Sequence, residues 1–76
     1  MSQIKSFNAG PVVATVWENY PKNAKGKYNT ISLGRKYKDN KGAWQTTASL
    51  RINDLPKASL VLKKAYEFLV YEQNAS

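Results

Sequence analysis

Hydrophobic and polar positions alternate in three stretches up to Ile52, after which the period becomes helical. From Val12 to Glu18, Val12, Ala14 and Val16 share one side and Val13, Thr15 and Trp17 the other; this β-branched run predicts a strand with two usable faces. Tyr28–Tyr37 sets Ile31, Leu33, Arg35 and Tyr37 against Tyr28, Thr30, Ser32, Gly34 and Lys36. Ala43–Ile52 alternates most clearly, with Trp44, Thr46, Ala48, Leu50 and Ile52 against Ala43, Gln45, Thr47, Ser49 and Arg51. Between these last two strands, Lys38-Asp39-Asn40-Lys41-Gly42 has the chemistry of a hairpin turn. Closing it so that Tyr37 faces Trp44 sets Arg35 opposite Thr46, Leu33 opposite Ala48 and Ile31 opposite Leu50. Residues 1–8, polar apart from Ile4 and Phe7, read as a frayed arm or a short edge strand. Gly10-Pro11 is a break, and Asn19–Lys27 a loop.

The packing partner of this sheet follows it. Asp54 can cap a helix, Pro56 is tolerated in its first turn, and the helical period runs to about Glu72. At about 100° per residue, Ala58, Val61, Leu62, Ala65, Tyr66, Phe68 and Leu69 cover an arc of roughly 160°, enough for a small sheet. Leu60 and Tyr71 fall outside that arc. They read either as solitary exposed residues or as a second contact surface, the candidate interface of a homodimer. The expected fold is α+β: a three- or four-stranded antiparallel sheet, residues 12–52, followed by one C-terminal helix, residues 54–72, packed on one face. Residues 1–76 form one domain.

Charge changes this picture because it is local. Seven of the twelve basic residues (Lys22, Lys25, Lys27, Arg35, Lys36, Lys38 and Lys41) lie between positions 22 and 41 against one acid, Asp39. That segment therefore carries +6 of the chain's +7. Tyr28, Tyr37 and Trp44 are interleaved with the cations. A cationic ribbon bearing rings suits a flexible polyanion, since ammonium and guanidinium groups displace counterions from phosphates and rings offer stacking faces for bases. The candidate nucleic-acid-binding residues are Lys22, Lys25, Lys27, Arg35, Lys36, Tyr37, Lys38, Lys41, Trp44 and Arg51. Against this, charge can serve solubility alone, Tyr37 and Trp44 can merely staple the hairpin, and the loop 22–27 can be simply solvated instead of closing over a backbone as a mobile cationic flap. Trp17 is expected in the core, with the open sheet face as the alternative.

Other chemistries find little support. The chain has no cysteine and no histidine, hence no disulfide framework, no thiolate nucleophile and no imidazole base or ligand. The five carboxylates (Glu18, Asp39, Asp54, Glu67, Glu72) are scattered, and no glycine-rich phosphate loop occurs. The expectation is a protein that is not an enzyme, with no cofactor, no metal and no small-molecule substrate. No apolar run approaches the roughly 20 residues that span a bilayer, and the N-terminus lacks a signal peptide's apolar core. The expected location is cytoplasmic, nucleoid-associated if the partner is DNA, with no membrane partner.

The passage from Lys41-Gly42-Ala43-Trp44 through Ser49-Leu50-Arg51-Ile52 into Asp54-Leu55-Pro56 resembles the single-stranded-DNA-binding fold of the coactivator positive cofactor four and its Whirly relatives. There a basic, aromatic hairpin leads into a strand reading Ser-Leu and then a capped helix. The resemblance implies four strands before the helix and a homodimer whose helices pair and whose strands lay out single-stranded nucleic acid. The chain is also similar to short uncharacterised bacterial and archaeal proteins sharing Val16–Asn19 (VWEN), Tyr37–Trp44 (YKDNKGxW), Asn53–Lys57 (NDLPK) and Lys64–Glu67 (KAYE). That likeness implies no activity.

Three functions are carried forward. The first is sequence-tolerant binding of single-stranded DNA or RNA, with DNA favoured, by a homodimer. The second is a protein–protein adaptor using the Leu60/Tyr71 surface or a sheet edge. The third is a duplex-binding chromatin-type module, disfavoured because an outer face of Gln45, Thr47, Ser49 and Arg51 is too hydrophilic to wedge a groove.

Overall fold

The computed structural model describes residues 1–22 and 26–73. Its order is β1 (Ser2–Ala9), β2 (Val12–Asn19), β3 (Tyr28–Lys38), β4 (Trp44–Thr47), a single tight turn (Ile52–Asp54) and α1 (Leu55–Glu67). The last turn, Phe68–Gln73, is widened to a π-type helix. The strands form one antiparallel meander in the order β1-β2-β3-β4. The fold class expected from the pattern is therefore the one observed, in its four-stranded form.

The doubtful N-terminal segment is a full strand. Ala9 pairs with Val12 across Gly10-Pro11, and pairing runs back to Ser2↔Glu18 with Ile4 as the extra residue of a bulge. Its polar look has a simple cause: β1 is an edge strand and only part of it meets the helix. Phe7 is the anchor, its ring edge-to-face with Phe68 at 6.1 Å between centroids.

β2 builds the core. Val12, Ala14 and Val16 are wholly buried, and Ala58, Val61 and Ala65 of α1 lie over the sheet on that side. Phe7, Ala9, Leu33 and Leu50 close the margins. The contact is made by small side chains, and the largest that are fully buried are valines. A tryptophan does not fit such a gap, and Trp17 is on the opposite, open face, contrary to the core placement expected for it. Leu62 and Tyr66 were also expected to cover the sheet. They stand 41% and 67% exposed, because α1 lies over β1 and β2 and barely reaches β3.

The second hairpin closes one residue away from the expected register. Lys38 pairs with Trp44, Tyr37 with Gln45, Lys36 with Thr46 and Arg35 with Thr47. A one-residue slip inverts a strand, so Tyr37 and Trp44 lie on opposite faces and do not staple the hairpin. The cause is in the loop 39–43. One Asp39 oxygen accepts the backbone N–H groups of Lys41 and Ala43, both at 2.9 Å, and Gly42 takes a φ of +82° to close the turn.

β4 also ends early, at Thr47, although the alternation runs on to Ile52. The Ser49 N–H turns back onto the Thr47 hydroxyl at 3.1 Å, and the chain crosses to the start of α1. The Asp54 carboxylate holds that crossing rather than capping α1: it accepts the Arg51 N–H at 2.8 Å and lies 3.0 Å from Arg35 Nε. The ion pair is largely buried, with the Arg35 N–H directed off the line to the oxygen.

Val61→Ala is expected to cost about 2 kcal/mol, from two buried carbons and the cavity they leave. In a domain of this size, that lowers the midpoint of thermal unfolding by roughly 8–16 °C, read by circular dichroism.

Candidate nucleic-acid interface

Strand pairing assigns the open face residue by residue. β1 contributes Gln3, Ser6 and Asn8, and β2 contributes Val13, Thr15, Trp17 and Asn19. β3 contributes Tyr28, Thr30, Ser32, Gly34, Lys36 and Lys38, and β4 adds Trp44 and Thr46. Among the described residues no helix or further strand lies over this face, although Val13 is buried beneath its neighbours. A shallow trough crosses it, lined by Ser6, Thr15, Trp17, Ser32, Gly34 and Lys36 among others. Its polar lining is made of the Gln3 amide, the Ser6, Thr15, Ser32 and Thr46 hydroxyls and the Lys36 ammonium, with Val13, Leu33 and Trp17 as its apolar part.

Trp17 lines this trough, and Trp44 stands beyond it on β4. Trp17 is half-buried and fixed, its indole N–H donating to the Ser32 hydroxyl at 3.0 Å. Trp44 is 68% exposed, and the Lys38 ammonium lies 5.6 Å from its ring centroid. Along β3, from Thr30 beside Trp17 to Lys38 beside Trp44, the separation is about 26 Å at roughly 3.3 Å per residue. Gly34 lets β4 approach this face closely. A Cβ there would meet the Thr46 methyl at 2.7 Å and the Thr47 carbonyl oxygen at 3.3 Å.

The ten candidate residues do not form one patch. Lys36, Lys38 and Trp44 share the open face, with Lys41 exposed on the adjoining turn. Arg35 and Tyr37 face the helix side, where with Thr47, Ser49 and Arg51 they line a groove at the sheet rim. Arg35 is already matched by Asp54. Lys22 and Lys27 are at the far end of β3, a whole strand length from Lys38, and Lys25 lies outside the described residues. Lys27 is held by Glu18 at 3.0 Å, so it is a tethered cation rather than part of a free flap. Residues clustered in sequence were separated because an extended strand carries its two ends apart.

Trp17, Thr15 and Ser32 were missing from the candidate set. The signal for them was the alternation itself: once Val12, Ala14 and Val16 face a helix of small residues, Trp17 and Thr15 must face outward. The outer face of β4 is likewise not Gln45, Thr47, Ser49 and Arg51. Gln45 and Thr47 are on the helix side, and Ser49 and Arg51 are beyond the strand, so the ground for disfavouring duplex binding falls away.

Two carboxylates set local electrostatics. Glu18 is buried; it accepts a hydrogen bond from the Tyr20 hydroxyl, and this bond, followed by Lys27, holds its pKa below the ordinary value. In return Glu18 raises the pKa of Tyr20 and of Lys27. Asp39 is likewise lowered, first by the Ala43 N–H, then by the Gln45 side-chain amide at 3.1 Å and the Lys41 N–H. Among the described residues no three histidine, cysteine or acidic side chains gather as a metal site, and no helix is long and apolar enough to cross a membrane.

No protein-family model, curated protein or solved structure matches the chain. The likeness to the positive cofactor four and Whirly fold gains nothing from these comparisons, and no residue role is taken from it.

Because both carboxyl pKa values are depressed in the fold, the stability they add is present above their ordinary values of 4.5 and 3.8. It is lost as pH falls through the lower, folded values. The melting temperature is therefore expected to hold from pH 7 to about pH 5 and to fall below about pH 4. Glu18→Gln with Asp39→Asn should flatten that acid limb relative to the parent in circular-dichroism melts.

Proposed function

We propose that the protein binds single-stranded nucleic acid, without strong sequence preference, along the open face of its sheet. The observation that carries this reading is the placing of Trp17 and Trp44 on one face of the sheet, Trp17 lining a trough that crosses it and Trp44 beyond the trough on β4, with Lys36 and Lys38 between and beside them. Unpaired bases have free faces to stack on indole rings, and base–aromatic stacking is tolerant of sequence. Lys36, Lys38 and Lys41 neutralise phosphates at the Trp44 end, while the Thr15, Ser32 and Thr46 hydroxyls take up hydrogen bonds along the path. A span of about 26 Å between rings, at the rise per residue of a strand, accommodates several nucleotides. The cytoplasmic or nucleoid-associated location expected from the sequence belongs to this proposal.

The test is fluorescence anisotropy with labelled oligo-dT, oligo-rU and a duplex at several salt concentrations. Three phosphate contacts should give a log–log salt slope of about −2, at roughly −0.7 per contact for single strands. Trp44→Ala and Trp17→Ala should each weaken single-strand affinity by about 1–3 kcal/mol. Trp44→Phe should recover part of that loss. Tighter binding of the duplex would turn the reading to a chromatin-type module. A flat salt response in all three would remove nucleic acid as the partner and leave the adaptor function.

A further inference from the structure

The fold leaves a second surface exposed, on the helix side of the sheet. Ile31 faces that side, opposite wholly buried Val16, yet is 39% exposed because α1 stops short of β3. On α1, at about 100° per residue, Leu55, Leu62 and Tyr66 fall within an arc of roughly 40°. They are 55%, 41% and 67% exposed. The other flank of α1 is the one that meets β1, through Phe68 and Phe7, so this arc is turned toward β3. Ile52, 84% exposed, precedes the helix at its start. Beside these side chains the outer edge of β3 from Tyr28 to Leu33 has no neighbouring strand among the described residues, since β4 pairs only with Arg35–Lys38.

We infer that this surface is where two copies of the chain pair, independently of what the open face binds. Charge selects the occupant. A two-fold contact sets the same patch on both partners, so a charge near its axis meets its own copy. Two chains of net charge +7 repel, and that repulsion is least where neither brings a cation. The arc of Leu55, Ser59, Leu62 and Tyr66 is free of charged residues, whereas Leu60 and Tyr71, the expected interface, are flanked by Lys64 and Glu67, and Tyr71 borders Lys5. The core gives the second reason. With valines its largest fully buried side chains, a single copy leaves its large aliphatic and aromatic residues mostly at the surface. Pairing buries Ile31, Leu55, Leu62 and Tyr66 among them and offers the free β3 edges to each other, the liability that natural sheets otherwise block with charge or proline.

Sedimentation equilibrium of the intact chain at 10–100 µM, roughly the range where a modest dimer forms, tests this. The expected result is a dimer that Leu62→Lys with Tyr66→Lys converts to a monomer with unchanged helical circular dichroism, while Leu60→Lys with Tyr71→Lys leaves it paired. If the first double variant does not fold, Tyr66→Gln alone should raise the dimer dissociation constant at least tenfold. A wild-type monomer at 100 µM overturns the inference. So does a dimer that survives the loss of Leu62 and Tyr66, including one broken by the Leu60/Tyr71 pair. Oligonucleotide anisotropy on the folded monomeric variant keeps the two claims separate, because the open face is untouched by these substitutions.

Discussion

The contact between β2 and α1 is made of small side chains, and the rest of the molecule follows from that spacing. Val12, Ala14 and Val16 meet Ala58, Val61 and Ala65 with no large residue between them. Helix and β2 can then lie close, and rings are left to the margins, where Phe7 meets Phe68. Trp17 goes to the open face for this reason. Tyr66 and Leu62 go to the flank of the helix for the same reason, since the arc that a close-packed helix buries is narrower than the arc its apolar residues occupy. A core that excludes large side chains leaves two surfaces rich in them, one mixed with hydroxyls and lysines and one free of charge. A stacking platform and a pairing surface are the uses that these two chemistries suit.

Asp39 and Asp54 act as the second level of control. Asp39 fixes the loop that sets the β3–β4 register, and the register decides that Trp44 rather than Tyr37 joins Trp17 and Lys36. Asp54 fixes the crossing from β4 to α1, tying Arg35 of β3 to the Arg51 backbone at the helix start. Each carboxylate is placed where a backbone N–H without a ladder partner must be satisfied.

Much of this architecture was legible in the alternation. β2, β3 and α1 were each visible, because β-branched residues at period two and Ala, Val and Leu at helical period leave little choice of element. What escaped were features decided between elements. β1 looked like an arm because an edge strand needs few apolar residues. β4 looked long because alternation through Leu50 and Ile52 is blind to the Thr47 turn that ends pairing. The register was missed by one because a side-chain oxygen, not the spacing of apolar residues, sets it. Four of the ten candidate interface residues were legible as a group as well: Lys36, Lys38, Lys41 and Trp44 come together, whereas Lys22 and Lys27 are carried a strand's length away and Arg35 is turned to Asp54.

The most direct measurement is a 1H–15N correlation spectrum titrated with oligo-dT. If the open face is the binding surface, both indole N–H resonances shift. Among the backbone amides the largest changes then fall on Thr15, Ser32, Lys36 and Trp44–Thr46, while those of Leu55–Tyr66 stay in place. Shifts confined to the helix flank, or to the Arg35–Arg51 groove with both indole signals unmoved, would contradict the assignment of the open sheet face.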